Sequence, residues 1–280
     1  MTNDNLFVLT ENAVCAAAGE NGLVSEACHY HLAAGGGRFR AKLGIHAGER
    51  FALSPTTIVA LAASCELLHN ASLIHDDLQD GDKYRRGQQS VWARYGADTA
   101  ICAGDYLLSA SYKCLANAQT NQLGKLISHL HDRTAVVIEG QAQDLQSDAL
   151  PRTSTAYRRT AEAKSGPLLA LPLELAALAA GQEALIEPIR SATTLFALGY
   201  QMADDLSDAA KDFKAGAHNV IWMFEPETDF QRAVIEAAHL TRTVLQEAKE
   251  ACSALPFDLG SLMVRHADKM LAQLPAQEAA

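Results

Sequence analysis

The sequence predicts an all-α fold, and three observations carry that expectation. Apolar residues recur at helical rather than alternating spacing through most of the chain. Helix-breaking punctuation is sparse, with 8 prolines and 18 glycines in 280 residues. Hydrophobic residues make up 49% and aromatics only 6%, so the core should be built from Ala, Leu, Ile and Val. No strand series or internal repeat interrupts the pattern. One domain over residues 1–280 is the expected organisation.

Helices are expected first at 6–19 and 22–33, before a glycine-rich break at 34–37. The next, 55–80, opens on Ser54 as a capping residue with Pro55 in the first turn. Along it Ile58, Leu61, Ala62, Cys65, Leu68 and Leu73 recur at helical spacing. A charged break at 81–89 precedes helices at 98–118, 121–147 and 153–164, with Lys164-Ser165 closing the last ahead of Gly166-Pro167. Helices at 167–180 and 183–210, a break at 214–219, then helices at 228–254 and 258–274 complete the series. The final Ala-Gln-Glu-Ala-Ala reads as a frayed end.

A formal net charge of −10 argues against a nucleic-acid surface, which needs a basic patch. It leaves room for a phosphorylated substrate, because a site on an acidic protein can be locally cationic or metal-loaded. Cys15, Cys28, Cys65, Cys102, Cys114 and Cys252 show no metal-ligand spacing and mostly sit in Ala/Leu-rich stretches, so a reduced cytoplasmic protein is expected. The N-terminus carries no leader pattern. The apolar run from Gly166 to Gly181, taken as the longest, is broken by Pro172 and Glu174, so no transmembrane segment is expected.

Chemistry concentrates in two acidic clusters. His75-Asp76-Asp77-Leu78-Gln79-Asp80 ends an apolar helix, with Asp76 and Asp80 on one face and Asp77 about 100° round. Like charges at that spacing destabilise a helix, and divalent cations supply a reason for them. Asp204-Asp205-Leu206-Ser207-Asp208 repeats the arrangement after another apolar run. Facing each other across a bundle, the two would line a cavity for several metal ions and a polyanion. Lys83, Arg85 and Arg86 follow the first cluster, and paired guanidiniums match phosphate oxygens. Gly35-Gly36-Gly37-Arg38-Phe39-Arg40 is a loop suited to close approach by an anion. His29/His31 and His129/His131 stand two apart, which on a helix turns them away from a shared ion. Trp92 and Trp222 are expected to pack.

With these motifs the sequence resembles the trans-isoprenyl diphosphate synthases, the family of farnesyl and geranylgeranyl diphosphate synthases. The similarity covers roughly residues 30–225: GGGRFR resembles the family's GGKRxRP, both aspartate-rich motifs and Arg85-Arg86-Gly87 stand in order, Ala103-Gly104-Asp105-Tyr106-Leu107-Leu108 is similar to AGDxLL, and Lys164-Ser165 to its Lys-Thr pair. The resemblance implies one large helical bundle of the isoprenoid synthase type with a central substrate cavity. It implies a head-to-tail condensation of isopentenyl diphosphate with an allylic diphosphate, giving a fifteen- to twenty-carbon product. Asp76, Asp80 and Asp204 would hold magnesium, three ions per site, supported by Asp77, Asp205 and Asp208. Arg85, Lys164 and Gln201 would contact the allylic diphosphate, and Arg40, His69 and Arg86 that of isopentenyl diphosphate. Lys164-Ser165 would steady the carbocation through a helix break, and pyrophosphate would accept the lost proton. A homodimer is implied too.

Three departures stand out. The motif lysine is Gly37 and its proline Ala41, with Lys42 as a candidate substitute; Gln89 and Trp92 replace the usual residues after the arginine pair; and the loop after the second cluster offers only Lys211 or Lys214 as a phosphate contact. The isopentenyl half is thus less well kept. That leaves open an ionising enzyme that cyclises or couples, or a non-catalytic subunit of a heteromeric synthase. A helical turn of about 5.4 Å approximates one isoprene unit, so small Ala71 and Ser72 should leave the tunnel open. Leu67, Leu68 or Tyr112 would then form its floor.

Overall fold

The computed structural model describes residues 3–145, 154–216, 219–224 and 228–274. Among them the helices are α1 (Asn3–Ala17), α2 (Leu23–Ala33), α3 (Phe39–Arg50), α4 (Pro55–Gln79), α5 (Val91–Tyr95), α6 (Ala97–Leu115), α7 (Leu123–Asp144), α8 (Ser154–Ala179), α9 (Ile186–Ala215), α10 (Phe230–Ser253) and α11 (Ser261–Gln273). The all-α class holds. The one pairing of strands described is a hairpin of two residues a side, β1 (Tyr84–Arg85) against β2 (Gln88–Gln89), inside the expected break at 81–89. The frayed end expected at 276–280 lies outside the described residues.

Three elements differ from expectation. Helix α3 is one, since no helix is expected between the break at 34–37 and residue 55; it contains two glycines, Gly44 and Gly48. Both are packing residues: a methyl on Gly44 would lie 3.2 Å from Ala62 Cα, and one on Gly48 2.6 Å from Ile58 Cγ1. The expected break at Lys164-Ser165 is absent, since α8 runs on through Gly166 and Pro167. Pro167 has no N–H to offer the carbonyl four residues back, but the flanking turns carry the helix past it. Finally, among the described residues it is α4, not the shorter run at 166–181, that is long and apolar enough to cross a membrane, and 78% of its apolar window is buried within the protein.

Contacts divide the chain into two compact units, Met1–Ala135 with Leu171–Ile186, and Val136–Ala170 with Glu187–Ala280. In the first, α4 and α6 form the central seam, where Ala63, Leu67, Ala71 and Ile74 meet Ala100, Ala103 and Leu107. These small side chains allow a close approach, and Gly104 leaves room for the His75 ring. Helix α4 begins as expected, the Ser54 hydroxyl accepting the Thr57 amide with Pro55 in the first turn. Buried Glu174 accepts from His129 Nε2 at 2.8 Å and faces Arg133 Nε at 3.3 Å, so His129 serves as a hydrogen-bond partner of Glu174.

In the second unit, α9 and α10 enclose Leu198, Met202, Val220, Ile221, Ala233, Ala237 and Val244. Gly199 fits beneath Leu245. Trp222 packs on Phe213 at a tilt, 5.4 Å between centroids, and in the first unit Trp92 packs on the α4/α6 core; both pack as expected. All six cysteines are unpaired thiols.

Candidate active site

The first aspartate cluster sits where α4 ends. Its apolar stripe carries the helix to Gln79, and Asp80 closes it, its amide bonding Asp76 O at 2.8 Å. One turn apart, Asp76 is half-buried and Asp80 exposed. Asp77 turns inward and is wholly buried. Its Oδ1 accepts from Arg85 Nε at 2.7 Å and lies 2.6 Å from Nη2, while Oδ2 has no hydrogen-bond partner among the described residues. Burial holds the Asp77 carboxyl above the usual carboxylate range despite Arg85.

The hairpin fixes the two arginines. Tyr84 pairs with Gln89 and Arg85 with Gln88, leaving Arg86 (φ 52) and Gly87 (φ 81) as the turn. Positive φ at both central residues is what a two-residue hairpin turn needs. Ser90 Oγ and Trp92 Nε1 donate to Asp82 O at 2.6 and 2.8 Å and anchor the base. Arg85 is thereby turned to Asp77, and Arg86 donates to Gly35 O of the glycine loop. A methyl on Gly36 would sit 2.5 Å from the Arg86 guanidinium, so that seat requires glycine.

Around Arg86 lie Arg38, Arg40 and two neutral histidines. His31 is buried, bonded to Asn70 Oδ1 at 3.1 Å, and lowered to about 3 by burial first and then by Arg86 and Arg85. His69 is held well below its ordinary value by burial, then by Arg40 and Arg86. Arg40 and Arg86 thus both lie near enough to His69 to act on it. Lys42 does not take the lost lysine's part directly: its ammonium bonds Gly37 O at 2.8 Å and lies 5.9 Å from the Phe7 ring. Of the chain-length positions, Ala71 faces α6, Leu68 is buried, Tyr112 is half-buried, and Ser72 Oγ donates to His69 O at 2.9 Å.

The second cluster repeats the first cluster's division. Asp204 and Asp208 are exposed, one turn apart on α9, while Asp205 points inward. Asp205 Oδ2 accepts from Tyr157 Oη at 2.7 Å and Val220 N at 2.9 Å, and Oδ1 accepts from Gln201 Nε2 at 2.8 Å. Asn219 Nδ2 donates to Asp205 O and to Asp212 Oδ2, at 2.7 and 2.8 Å. Burial, then Asp205, pushes the Tyr157 phenol far up, so the proton stays on Tyr157. Asp204 is raised by desolvation, then by Asp208 and Asp212. Lys211 Nζ stands 3.8 Å from Asp208. The side chains of Lys164 and Ser165 lie outside the described residues.

No group of three His, Cys, Asp or Glu gathers as a metal cage among the described residues. Each cluster instead offers two outward carboxylates. That donor set fits magnesium, which binds through one or two carboxylates plus substrate phosphate. The sequence reading missed Tyr157 and Asn219, whose loop gave no signal, and Glu66, which was visible as a lone charge inside an apolar helix.

The polyprenyl synthetase family profile matches residues 21–219. A (2E,6E)-farnesyl diphosphate synthase of Mycobacterium bovis is 35% identical over 179 residues, 61% of this chain and 48% of that protein. The farnesyl diphosphate synthase of Escherichia coli is 31% identical over 204 residues, 69% of this chain and 68% of that protein. The chain thus spans about half the length of the mycobacterial relative it matches. In fold it is similar to the geranylgeranyl pyrophosphate synthetase of Geoglobus acetivorans, with a TM-score of 0.85 at 23% identity over 96% of this chain and 99% of that one. A polyprenyl synthase of Caulobacter crescentus, complexed with calcium and isoprenyl diphosphate, gives 0.81 at 22% identity over 97% and 96%.

Proposed function

Because the chain belongs to the polyprenyl synthetase family, we propose that it condenses isopentenyl diphosphate with an allylic diphosphate, head to tail, into a trans-prenyl diphosphate of fifteen to twenty carbons. The observation that supports this best is the division repeated in both clusters, an inner aspartate locked by its neighbours and an outer pair one turn apart on the opposite face. Asp76, Asp80, Asp204 and Asp208 are the proposed magnesium holders, for three ions. When bound, magnesium supplies positive charge to pyrophosphate as it leaves.

Arg85, Lys164 and Gln201 are assigned to the allylic diphosphate, with Asp77 orienting Arg85 and Asp205 orienting Gln201. Arg40, Arg86 and His69 are assigned to isopentenyl diphosphate. His69, held neutral, adds polarity there without adding charge, and no histidine base is needed because pyrophosphate takes the proton. Ala71, Ser72, Leu68 and Tyr112 set product length. The chain acts as one catalytic domain and a cytoplasmic homodimer. A second reading, ionisation of the allylic substrate alone, is favoured by one observation: Gly37 lacks the lysine and Lys42 is engaged at its carbonyl.

Incubation with labelled isopentenyl diphosphate and dimethylallyl, geranyl or farnesyl diphosphate, with and without magnesium, tests this. A magnesium-dependent labelled product of fifteen or twenty carbons is expected. Pyrophosphate release without incorporated label would establish the second reading.

A further inference from the structure

Glu66 is the lone charge in the apolar part of α4 and only 2% exposed. A carboxylate buried there costs several kcal/mol unless partners meet it. Three do. Oε2 accepts the Ala41 amide at 3.2 Å, Oε1 accepts from Asn70 Nδ2 at 3.3 Å, and Arg38 Nη1 stands 3.8 Å from Oε1. Asn70 carries the chain on to His31.

The Ala41 contact has a particular meaning. Helix α3 begins after Arg38, which has φ 48 and supplies no side-chain cap. Ala41 is the third residue of α3, the place where a capping oxygen normally accepts. Glu66 provides that oxygen from the neighbouring helix, and so fixes the turn that carries Arg40. Arg38 extends the hold in the other direction. It pairs with Glu11 at 3.0 Å and donates to Leu32 O and Gly35 O at 3.0 and 2.9 Å. The Gly35 carbonyl also receives Arg86. One buried carboxylate is thus tied to both arginines assigned to isopentenyl diphosphate, and its charge is among those felt at Arg86.

We infer that Glu66 is a positioning residue for the isopentenyl diphosphate site, capping α3 and anchoring Arg38 so that Arg40 and Arg86 converge on one anion. This rests on the function proposed above. It also says how the glycine loop keeps its shape without the lysine that Gly37 replaces: the loop is braced from beneath by α4.

Glu66→Gln keeps the volume and an acceptor but removes the charge that faces Arg38. The expected result is a KM for isopentenyl diphosphate raised about tenfold, equivalent to about 1.4 kcal/mol. The KM for the allylic diphosphate should be unchanged and Glu66→Asp should recover part of the loss. Should Glu66→Gln fail to fold, Arg38→Lys, which keeps the charge but loses the fork, is expected to give the same selective rise. An unchanged isopentenyl KM in a folded variant, or an equal rise for both substrates, overturns the inference while leaving the synthase function intact. A wild-type chain that turns over no primer overturns the synthase function, and this inference with it.

Discussion

The two aspartate clusters share a pattern but not a chemistry. In each, the middle carboxylate turns inward and the outer two turn out, yet Asp77 is met by a guanidinium and Asp205 by neutral donors. Asp77 keeps one oxygen without a hydrogen bond, whereas both Asp205 oxygens are satisfied. The cause lies in the neighbouring segments. After α4 comes a hairpin that delivers arginines; after α9 comes a turn that delivers the Val220 amide and the Asn219 side chain. The first region therefore depends on charge and should respond to pH. The hold on Asp205 depends instead on hydrogen bonds from uncharged groups.

The largest effect should come from the outward carboxylates, where the clusters are expected to be equivalent. Asp76→Asn and Asp204→Asn should each lower kcat about 100- to 1,000-fold, the scale of losing one electrostatic stabiliser. Their melting temperatures should hold. Turnover that survives one substitution and not the other would break the equivalence.

Acid unfolding separates the regions next. His31 is lowered to about 3 when folded, against 6.5 as its ordinary value. Its contribution is present above pH 6.5 and is lost as pH falls toward 3, because only the unfolded chain then takes the proton. The loss is on the order of 4 kcal/mol at about 1.4 kcal/mol per pKa unit. Urea titrations should show His31→Gln flattening that acid limb; equal limbs for variant and wild type would remove His31 from the account.

Arg85→Gln leaves Asp77 buried without its counter-charge, at a cost of about 3 kcal/mol near neutral pH. Asp77 already sits above the usual range when folded, and losing Arg85 raises it further. A carboxyl so raised holds its proton more tightly folded than unfolded. The penalty is thus complete above the raised value and fades as pH falls through it. Chemical denaturation of the variant should show the deficit shrinking in acid. Tyr157→Phe gives the smallest effect, about 2 kcal/mol for one hydrogen bond to a carboxylate that keeps its other donors. Chemical denaturation at neutral pH should place it below Arg85→Gln, and a deficit as large as that variant's would erase the contrast between the two clusters.

Much of this was legible in the sequence. Spacing alone put Asp76 with Asp80 and Asp77 off their face, and Ser54-Pro55 announced the start of α4. What it could not show depends on contacts between distant segments. Gly44 and Gly48 look like interruptions until Ala62 and Ile58 stand against them. Gly166-Pro167 looks like a helix end, yet α8 passes through it. Tyr157 stands 48 residues from the aspartate it serves, and no local pattern links them. Glu66 was visible as an oddity, but its partners on α3 were hidden with α3 itself.

The glycines of α3 also carry a warning for anyone seeking to make this protein more robust. Helix propensity recommends alanine at both, a nominal gain of about 1 kcal/mol apiece. At Gly48 the added carbon would meet Ile58 Cγ1 at 2.6 Å, so α3 would have to lift from α4. Because Arg40 rides on α3, a change chosen for heat tolerance would shift the Arg40 guanidinium as well as the seam between α3 and α4.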